Sequence, residues 1–132
     1  MKKYIGVKQI SAKPMTMGEA YENGLLQKNR TITENEKTLD GYYVEYDNGY
    51  ASWSPKDVFE KAYKLAESPL DRLHIEYDEL KERHIKLKNF LSKENVISIV
   101  GEDLLGLMKD QEEVMRDYLD ILELRIELLN NN

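Results

Sequence analysis

Cysteine is absent from this chain of 132 residues, which excludes disulfide bonds, thiolate catalysis and metal sites built on cysteine ligands. Long hydrophobic runs are absent too: no stretch approaches about 18 consecutive apolar residues, so we expect no transmembrane helix. The amino-terminal segment has two lysines but neither a long apolar region nor a small-residue cleavage site. We therefore expect a protein that is neither secreted nor anchored in a membrane.

A surplus of positive charge is also missing. The chain has 19 basic and 25 acidic residues and a formal net charge of −6. This balance argues against duplex nucleic acid as a partner, because affinity for a duplex comes from basic side chains that release its counterions. It leaves room for a small anionic ligand, which needs only a few local donors.

Charges and aromatic residues divide the chain into two parts. Residues 1–68 hold ten basic and ten acidic side chains, whereas residues 69–132 hold nine and fifteen and carry the whole net charge. Seven of the nine tyrosines and the only tryptophan precede residue 64. We therefore predict an α+β protein with two domains. The first, 1–66, is a small antiparallel, aromatic-rich β head with short helices, and the second, 69–132, is an antiparallel helical hairpin.

Local patterns predict the elements of the head. A β-prone run predicts a strand over residues 3–10. The pattern T-x-x-E that begins at Thr16, followed by Gly24 as a stop, predicts a short helix over residues 17–23. Two β-prone runs around Asp47-Asn48-Gly49 predict a hairpin. Its aromatic side chains either form the core of the head or leave one or two rings free to stack a ligand.

Two Ser-Pro pairs predict helix starts, at Ser54-Pro55 and at Ser68-Pro69. After the second, seam positions recur at steps of four and three, which predicts an amphipathic helix to Leu91. The interval 92–101 interrupts this pattern and predicts a loop of about ten residues. A second helix is expected over about 102–129. The seam residues of the first helix are Leu73, Tyr77, Leu80, His84, Leu87 and Leu91.

The second helix carries an unusually wide apolar face. At about 100° per residue, its apolar positions cover roughly 160° of the circumference. One partner helix cannot bury a face of that width, so the excess must meet the head, another subunit or both. We expect a homo-oligomer, since a long exposed apolar strip favours aggregation.

Polar residues interrupt that face, and each allows two interpretations. Gln111, Tyr118 and Arg125 lie seven apart, so they either set the register of a helical seam or line a ligand site between subunits. Arg116 either pairs with Glu112 one turn earlier or binds a phosphate with its bidentate guanidinium.

No pattern indicates catalysis or metal binding. His74 and His84 are ten residues apart and do not share a helix face. The chain has no HExxH, no nucleophile elbow, no Walker loop and no GxGxxG. We therefore expect no catalytic residues, no metal site and no cofactor.

Two stretches together resemble the phage-encoded signal sponges, namely the anti-CBASS sponges and the first Thoeris anti-defence family. The hairpin resembles their helical hairpin, and the head resembles a phage and prophage module often joined to such domains. In the hairpin the resemblance rests on Asp71-Arg-Leu, Glu79-Leu-Lys-Glu, Lys86-Leu, Phe90-Leu, Leu105, Gln111, Met115, Tyr118, Ile121-Leu122 and Arg125-Ile126. In the head it rests on Lys3-Tyr-Ile-Gly, Ala12-Lys-Pro-Met-Thr16, Gly41-Tyr-Tyr-Val-Glu-Tyr46, Gly49-Tyr, Ser52-Trp-Ser-Pro-Lys56, Val58-Phe-Glu60 and Ala62-Tyr63.

This resemblance implies a non-enzymatic protein that acts in the host bacterial cytoplasm. It would assemble into homodimers that can build hexamers. It would sequester an immune messenger intact, either a cyclic ADP-ribose isomer such as glycocyclic ADP-ribose or a cyclic di- or trinucleotide. The alternative is a non-catalytic phage structural or protein-interaction module that docks a partner through the hairpin.

The resemblance and the hairpin positions also suggest the ligand-binding residues. Phe90 would stack on a base, and Asn95 would form hydrogen bonds with a base or ribose. Arg116 is the first choice for phosphate and Arg125 the second, with Tyr118 lining the pocket.

Overall fold

The computed structural model describes residues 1–131. Its contacts cluster into two units, Met1–Lys64 and a second that begins at Leu65; we call them the head and the hairpin. The head contains three strands, two short α-helices and a 3₁₀ helix. In chain order these are β1 (Ser11–Pro14), α1 (Met17–Glu22), the 3₁₀ helix (Glu36–Thr38), β2 (Gly41–Glu45), β3 (Ala51–Pro55) and α2 (Lys56–Ala62).

The head is built on an antiparallel sheet with the strand order β1-β2-β3. Ser11 lies opposite Glu45 in the first pair of strands, and Tyr43 lies opposite Trp53 in the second. The predicted β-hairpin is confirmed. Its turn contains Gly49 at φ +85°, a conformation that glycine adopts without steric cost.

Because Gly41 has no side chain, the ring of Trp53 can pack directly against the backbone of β2 in the core of the head. A Cβ atom on Gly41 would collide with the ring of Trp53 and with a main-chain carbonyl of β3. Trp53 in turn donates its indole N–H to the carbonyl of Met15, 2.7 Å away. Val44 and Met17 are buried in the same unit. The indole of Trp53 therefore connects β3 to the segment between β1 and α1, and it lies directly against Gly41 of β2.

Three expectations about the head differ from the structure. Residues 3–10 form no strand, and Tyr4, Ile5 and Val7 are exposed; the first strand is β1, which follows them. Ser54 does not cap a helix, because β3 continues through Pro55 and α2 begins one residue later. The pattern after Ser54-Pro55 predicts a helix to about Ala66, whereas α2 ends at Ala62. Strand pairing, which is non-local, decides these boundaries more than residue propensity does.

The second unit consists of two long helices, α3 (Pro69–Leu91) and α4 (Val96–Asn130), which pack against each other. The predicted start of α3 is confirmed: Ser68 and Asp71 form a reciprocal capping box with Pro69 in the first turn. The fold is thus α+β, a small antiparallel sheet followed by a helical hairpin. Within residues 1–131, neither helix is apolar enough over a sufficient length to cross a membrane.

The connection between the two helices is shorter than expected. The apolar residues at 96–100 belong to α4 instead of a loop, which leaves only residues 92–95 outside the helices. The break in the pattern is nevertheless real, because Gly101 has φ +82° and ψ 167° and interrupts α4. A short segment, 96–100, therefore precedes the long segment, 102–130.

One face of α4 packs on the seam of α3, and we call it the inner seam. Leu105, Met115 and Leu122 of this seam are buried, as are Leu73 and His84 on α3. The antiparallel register follows from two contacts, His84 with Glu112 and Glu76 with Tyr118. The inner seam consists of Leu105, Met108, Glu112, Met115, Leu119, Leu122, Ile126 and Leu129.

A second face of α4, which we call the outer seam, is exposed along its whole length. Each of its positions precedes an inner-seam position by one residue, which turns it by about 100° around the helix axis. Its aliphatic side chains are 48–68% exposed. The wide apolar face predicted from the sequence is therefore two seams, of which α3 covers only one. The outer seam consists of Leu104, Leu107, Gln111, Val114, Tyr118, Ile121, Arg125 and Leu128.

Candidate ligand-binding site

The five predicted site residues fall into two clusters. Phe90 and Asn95 lie at the connected end of the hairpin and form the loop-end cluster. Arg116, Tyr118 and Arg125 lie along α4 and form the α4 cluster. Within one chain the clusters are far apart: Arg125 comes 23 residues after Glu102, or about 35 Å along the helix. One small ligand therefore cannot contact Phe90 and Arg125 of the same chain.

The loop-end cluster combines an aromatic ring, an ammonium group and an amide. Phe90 is partly exposed, and the ammonium of Lys93 lies 5.3 Å from the centre of its ring. Asn95 precedes α4 as its N-cap residue, yet its side chain makes no capping hydrogen bond. The sequence interpretation missed Lys93, which lies in the connection after α3 and whose backbone N–H donates to the carbonyl of Phe90 at 3.2 Å. Such a group can stack a base while a cation approaches its phosphate.

Arg116 already forms an ion pair with Glu112. The guanidinium of Arg116 lies 3.6 Å from one carboxylate oxygen of Glu112, and the His84 ring lies 3.3 Å from the other. This geometry is the helical i,i+4 pair that the sequence allowed as the alternative to phosphate binding. A phosphate at Arg116 would have to compete with a carboxylate that is already in place.

Tyr118 is held in place by α3. Its hydroxyl donates a hydrogen bond to the carboxylate of Glu76, while the residue remains 41% exposed. The ring thus has a fixed orientation in the middle of the outer seam. Glu76 was not predicted as its partner, because the contact depends on the register between the two helices.

The guanidinium of Arg125, unlike that of Arg116, has no partner within residues 1–131. The residue is exposed and, within residues 1–131, makes no hydrogen bond or ion pair. It lies on the outer seam between Ile121 and Leu128. A guanidinium flanked by exposed aliphatic side chains can donate hydrogen bonds to an anion, and the attraction is stronger once a partner surface removes water around it.

The aromatic residues of the head are largely used in packing. Tyr42 stacks on Phe59 with ring centres 4.1 Å apart, and Trp53 is engaged in the core. An open cleft of about 360 Å³ lies beside Trp53 and is lined by Arg30, Lys56 and three carboxylates. Arg30 is already paired with one of these, Glu36, at 2.8 Å. The cleft is therefore poorly suited to a phosphate.

Metal binding finds no support in the geometry. No group of three or more His, Asp or Glu side chains in residues 1–131 is arranged to hold a metal ion. The contact of His84 with Glu112 joins only two such side chains, which are 11% and 17% exposed.

Comparison with known families gives a match at the hairpin. Residues 67–128 match the family model described as Sequestin. The matched segment is just under half of the chain; it covers α3 and nearly all of α4 and leaves the head outside. No curated protein and no solved structure matches the chain.

Proposed function

We propose that this protein is a phage or prophage anti-defence protein that sequesters a cyclic nucleotide-type immune messenger without cleaving it. The observation that carries the proposal is the match of residues 67–128 to the Sequestin family. The family's name describes sequestration, and the matched residues include both clusters of candidate ligand-binding side chains. Sequestration needs a pocket with aromatic, polar and cationic groups, and it needs no general base.

The chemistry of the two clusters suits a ligand that has both a base and a phosphate. Phe90 offers a ring for stacking, Asn95 an amide for a base or ribose, and Lys93 and Arg125 offer positive charge. The hairpin is otherwise acidic, so each site has few cations. A cyclic ADP-ribose isomer, such as glycocyclic ADP-ribose, therefore fits better than a cyclic trinucleotide with a charge on each of its three phosphates.

In this proposal the protein works as a homo-oligomer, with dimers that can build hexamers, in the host bacterial cytoplasm. The exposed outer seam supports assembly, because an apolar strip along a whole helix seldom stays uncovered. It equally favours a second candidate, a non-catalytic phage module that docks another protein on this strip. Light scattering of the ligand-free protein distinguishes these two candidates. A monomer would favour the module that docks another protein.

Isothermal titration calorimetry tests the proposal directly. The full chain is titrated with cyclic ADP-ribose isomers, cyclic dinucleotides and cyclic trinucleotides in separate experiments. We expect saturable heat with at least one of them, and recovery of that compound unchanged after heat denaturation of the complex. Absence of heat with all of them would overturn sequestration of these messengers, and a chemically altered compound would show an enzyme instead.

A further inference from the structure

The head lies outside the segment that matches Sequestin, and the proposed function uses none of its residues. Its surface contains two adjoining clefts, each of about 360 Å³, which share Asp40 and Lys56. The first is the cleft beside Trp53, and the second lies along Met15 and Thr16, between β1 and α1. We call the two clefts together the head groove. Its length exceeds that of a single side chain.

Main-chain hydrogen bonds fix the walls of the head groove. The backbone N–H of Met17 donates to the carbonyl of Leu39 at 2.9 Å. The backbone N–H of Lys56 donates to the carbonyl of Asp40 at 3.1 Å. Residues 39 and 40 are thereby bonded to α1 on one side and to the start of α2 on the other. The groove is therefore preformed, and a preformed site loses less conformational freedom on binding than a site that must first become ordered.

Trp53 gives the first cleft an aromatic wall. Its indole N–H donates to the carbonyl of Met15, and its ring lies so close to Gly41 that a Cβ atom there would collide with it. These two contacts hold the ring in one orientation, yet the residue lines the cleft and remains partly exposed. Among aromatic side chains, the indole ring binds a cation most strongly. The first cleft thus offers a fixed surface on which a flat cation can stack.

Carboxylates outnumber cations around the head groove, which is lined by Glu19, Glu36, Asp40, Asp57, Arg30 and Lys56. Two of these carboxylates already have partners, because Glu19 belongs to the capping box of α1 and Glu36 pairs with Arg30. The side chains of Asp40, Asp57 and Lys56 make no hydrogen bond or ion pair within residues 1–131. The unpaired charge of the groove is therefore negative.

We propose that the head groove binds a basic segment of a partner protein, with an arginine side chain in the first cleft. A planar guanidinium stacks on an aromatic ring and donates several hydrogen bonds from its edge. In the first cleft it can lie against Trp53 and donate to the carboxylates of Asp40 and Asp57. A neighbouring residue of the same extended segment then occupies the second cleft, while Lys56, between the two clefts, donates to a carbonyl of the bound backbone.

Other ligands fit this groove less well. A phosphate would meet the free carboxylates of Asp40 and Asp57. A metal ion lacks a cage, because no three His, Asp or Glu side chains in residues 1–131 are arranged to hold one. A small organic cation alone would leave the second cleft empty. An arginine within a peptide is the ligand that uses the ring, the free carboxylates and the length of the groove together.

Tryptophan fluorescence tests the proposal, because the only tryptophan of the chain lies in the groove. The full chain is titrated with a capped pentapeptide that has arginine at its centre and glycine elsewhere. The matched peptide has citrulline, which keeps the shape of arginine without its charge. We expect a saturable change in emission with the arginine peptide and an affinity at least about fivefold lower with the citrulline peptide. Absence of a saturable change, or equal affinity for both peptides, would overturn the proposal.

Two substitutions test the position of the site. Asp40→Asn and Asp57→Asn each remove one charge from an exposed side chain, so the circular dichroism spectrum should not change. Each should weaken binding of the arginine peptide about threefold to fivefold, which is typical of an ion pair that water still reaches. Asp47→Asn removes the same charge from the turn at the other end of β2 and should bind like the wild type. Wild-type affinity in both groove variants would overturn the head groove as the site.

Discussion

His84 on α3 and Glu112 on α4 meet inside the hairpin, with the imidazole Nε2 3.3 Å from a carboxylate oxygen. His84 is 8% exposed, and it is a polar residue at a seam position where its neighbours are aliphatic. The other oxygen of Glu112 lies near Arg116. The carboxylate of Glu112 therefore contacts His84 between the two helices, which sets their register, and also pairs with Arg116 at the surface.

Removal of Glu112 should cost more stability than its single hydrogen bond suggests. Glu112→Ala leaves the His84 ring, which is 8% exposed, without its partner, for which we expect a loss of about 1–3 kcal/mol in the free energy of unfolding. The double change His84→Leu with Glu112→Leu should recover most of this loss, because two apolar side chains need no partner. Urea denaturation measures both. Glu113→Ala, on the exposed side of the same turn, is the control, and an equal loss there would contradict the role of the pair.

Two glycines of α4 should respond to alanine in opposite directions. Gly101 has φ +82°, a conformation in which a Cβ atom is strained, so Gly101→Ala should destabilise the hairpin by about 1–3 kcal/mol. Gly106 lies within the regular helix, and a Cβ atom there meets nothing within 4 Å, so Gly106→Ala should stabilise it by about 1 kcal/mol. Thermal melting followed by circular dichroism distinguishes them. A Gly101→Ala variant that melts at the wild-type temperature or above it would show that Gly101 is not a required break.

The parts of the fold that were predicted correctly depend on local chemistry. The capping boxes at Thr16 and Ser68 and the turn at Gly49 each involve side chains within a few residues, so their patterns are visible in the sequence. The strand expected over residues 3–10 was wrong because pairing partners come from elsewhere in the chain. β1 pairs with β2 some thirty residues away, and this pairing includes only the residues from Ser11 onward.

For the candidate site, the sequence proposes residue types, which stay a prediction, but it does not predict their arrangement. Arginine and tyrosine on the wide face of α4 follow from the sequence alone. The pairing of Arg116 with Glu112 is local to α4 and is one of the two alternatives that the sequence allowed. The contact of Glu112 with His84 was not predicted, because it depends on the register of the folded hairpin. The same holds for Tyr118 and Glu76, which are 42 residues apart.

The cap of α3 should make the hairpin sensitive to acid. The backbone N–H of Ser68 donates to the Asp71 carboxylate at 3.0 Å and lowers the pKa of that carboxyl below its ordinary value of 3.8. Because the pKa is lower in the folded state, the stabilisation is present above pH 3.8 and is lost as pH falls through the folded value. Asp71→Asn should therefore be less stable than wild type at neutral pH, with a difference that closes in acid.

Free energies of unfolding at several pH values test this dependence. Glu79→Gln removes the same charge from the same helix, away from the cap, and is the control. A difference between wild type and Asp71→Asn that stays constant from neutral pH to below pH 3.8 would contradict the assignment.

Salt should strengthen self-association. The hairpin carries the whole net charge of −6, so two hairpins that approach through their apolar seams repel each other. Raising the ionic strength from about 0.1 M to about 1 M shortens the screening length from about 10 Å to about 3 Å and weakens this repulsion. We expect the dimer dissociation constant from sedimentation equilibrium to fall. A rise would indicate that ion pairs, not the outer seam, hold the copies together.

The two arginines of the α4 cluster should contribute unequally to messenger binding. Arg125 makes no ion pair within residues 1–131, whereas Glu112 lies 3.6 Å from Arg116. A hydrogen bond to a charged group contributes about 1.5–3 kcal/mol, so Arg125→Ala should weaken binding by roughly tenfold or more. Arg116→Ala should change the affinity little, because it removes a cation that a carboxylate already neutralises. Calorimetric titration of both variants with a messenger that the wild type binds measures the contrast, and a larger loss for Arg116→Ala would reverse the assignment.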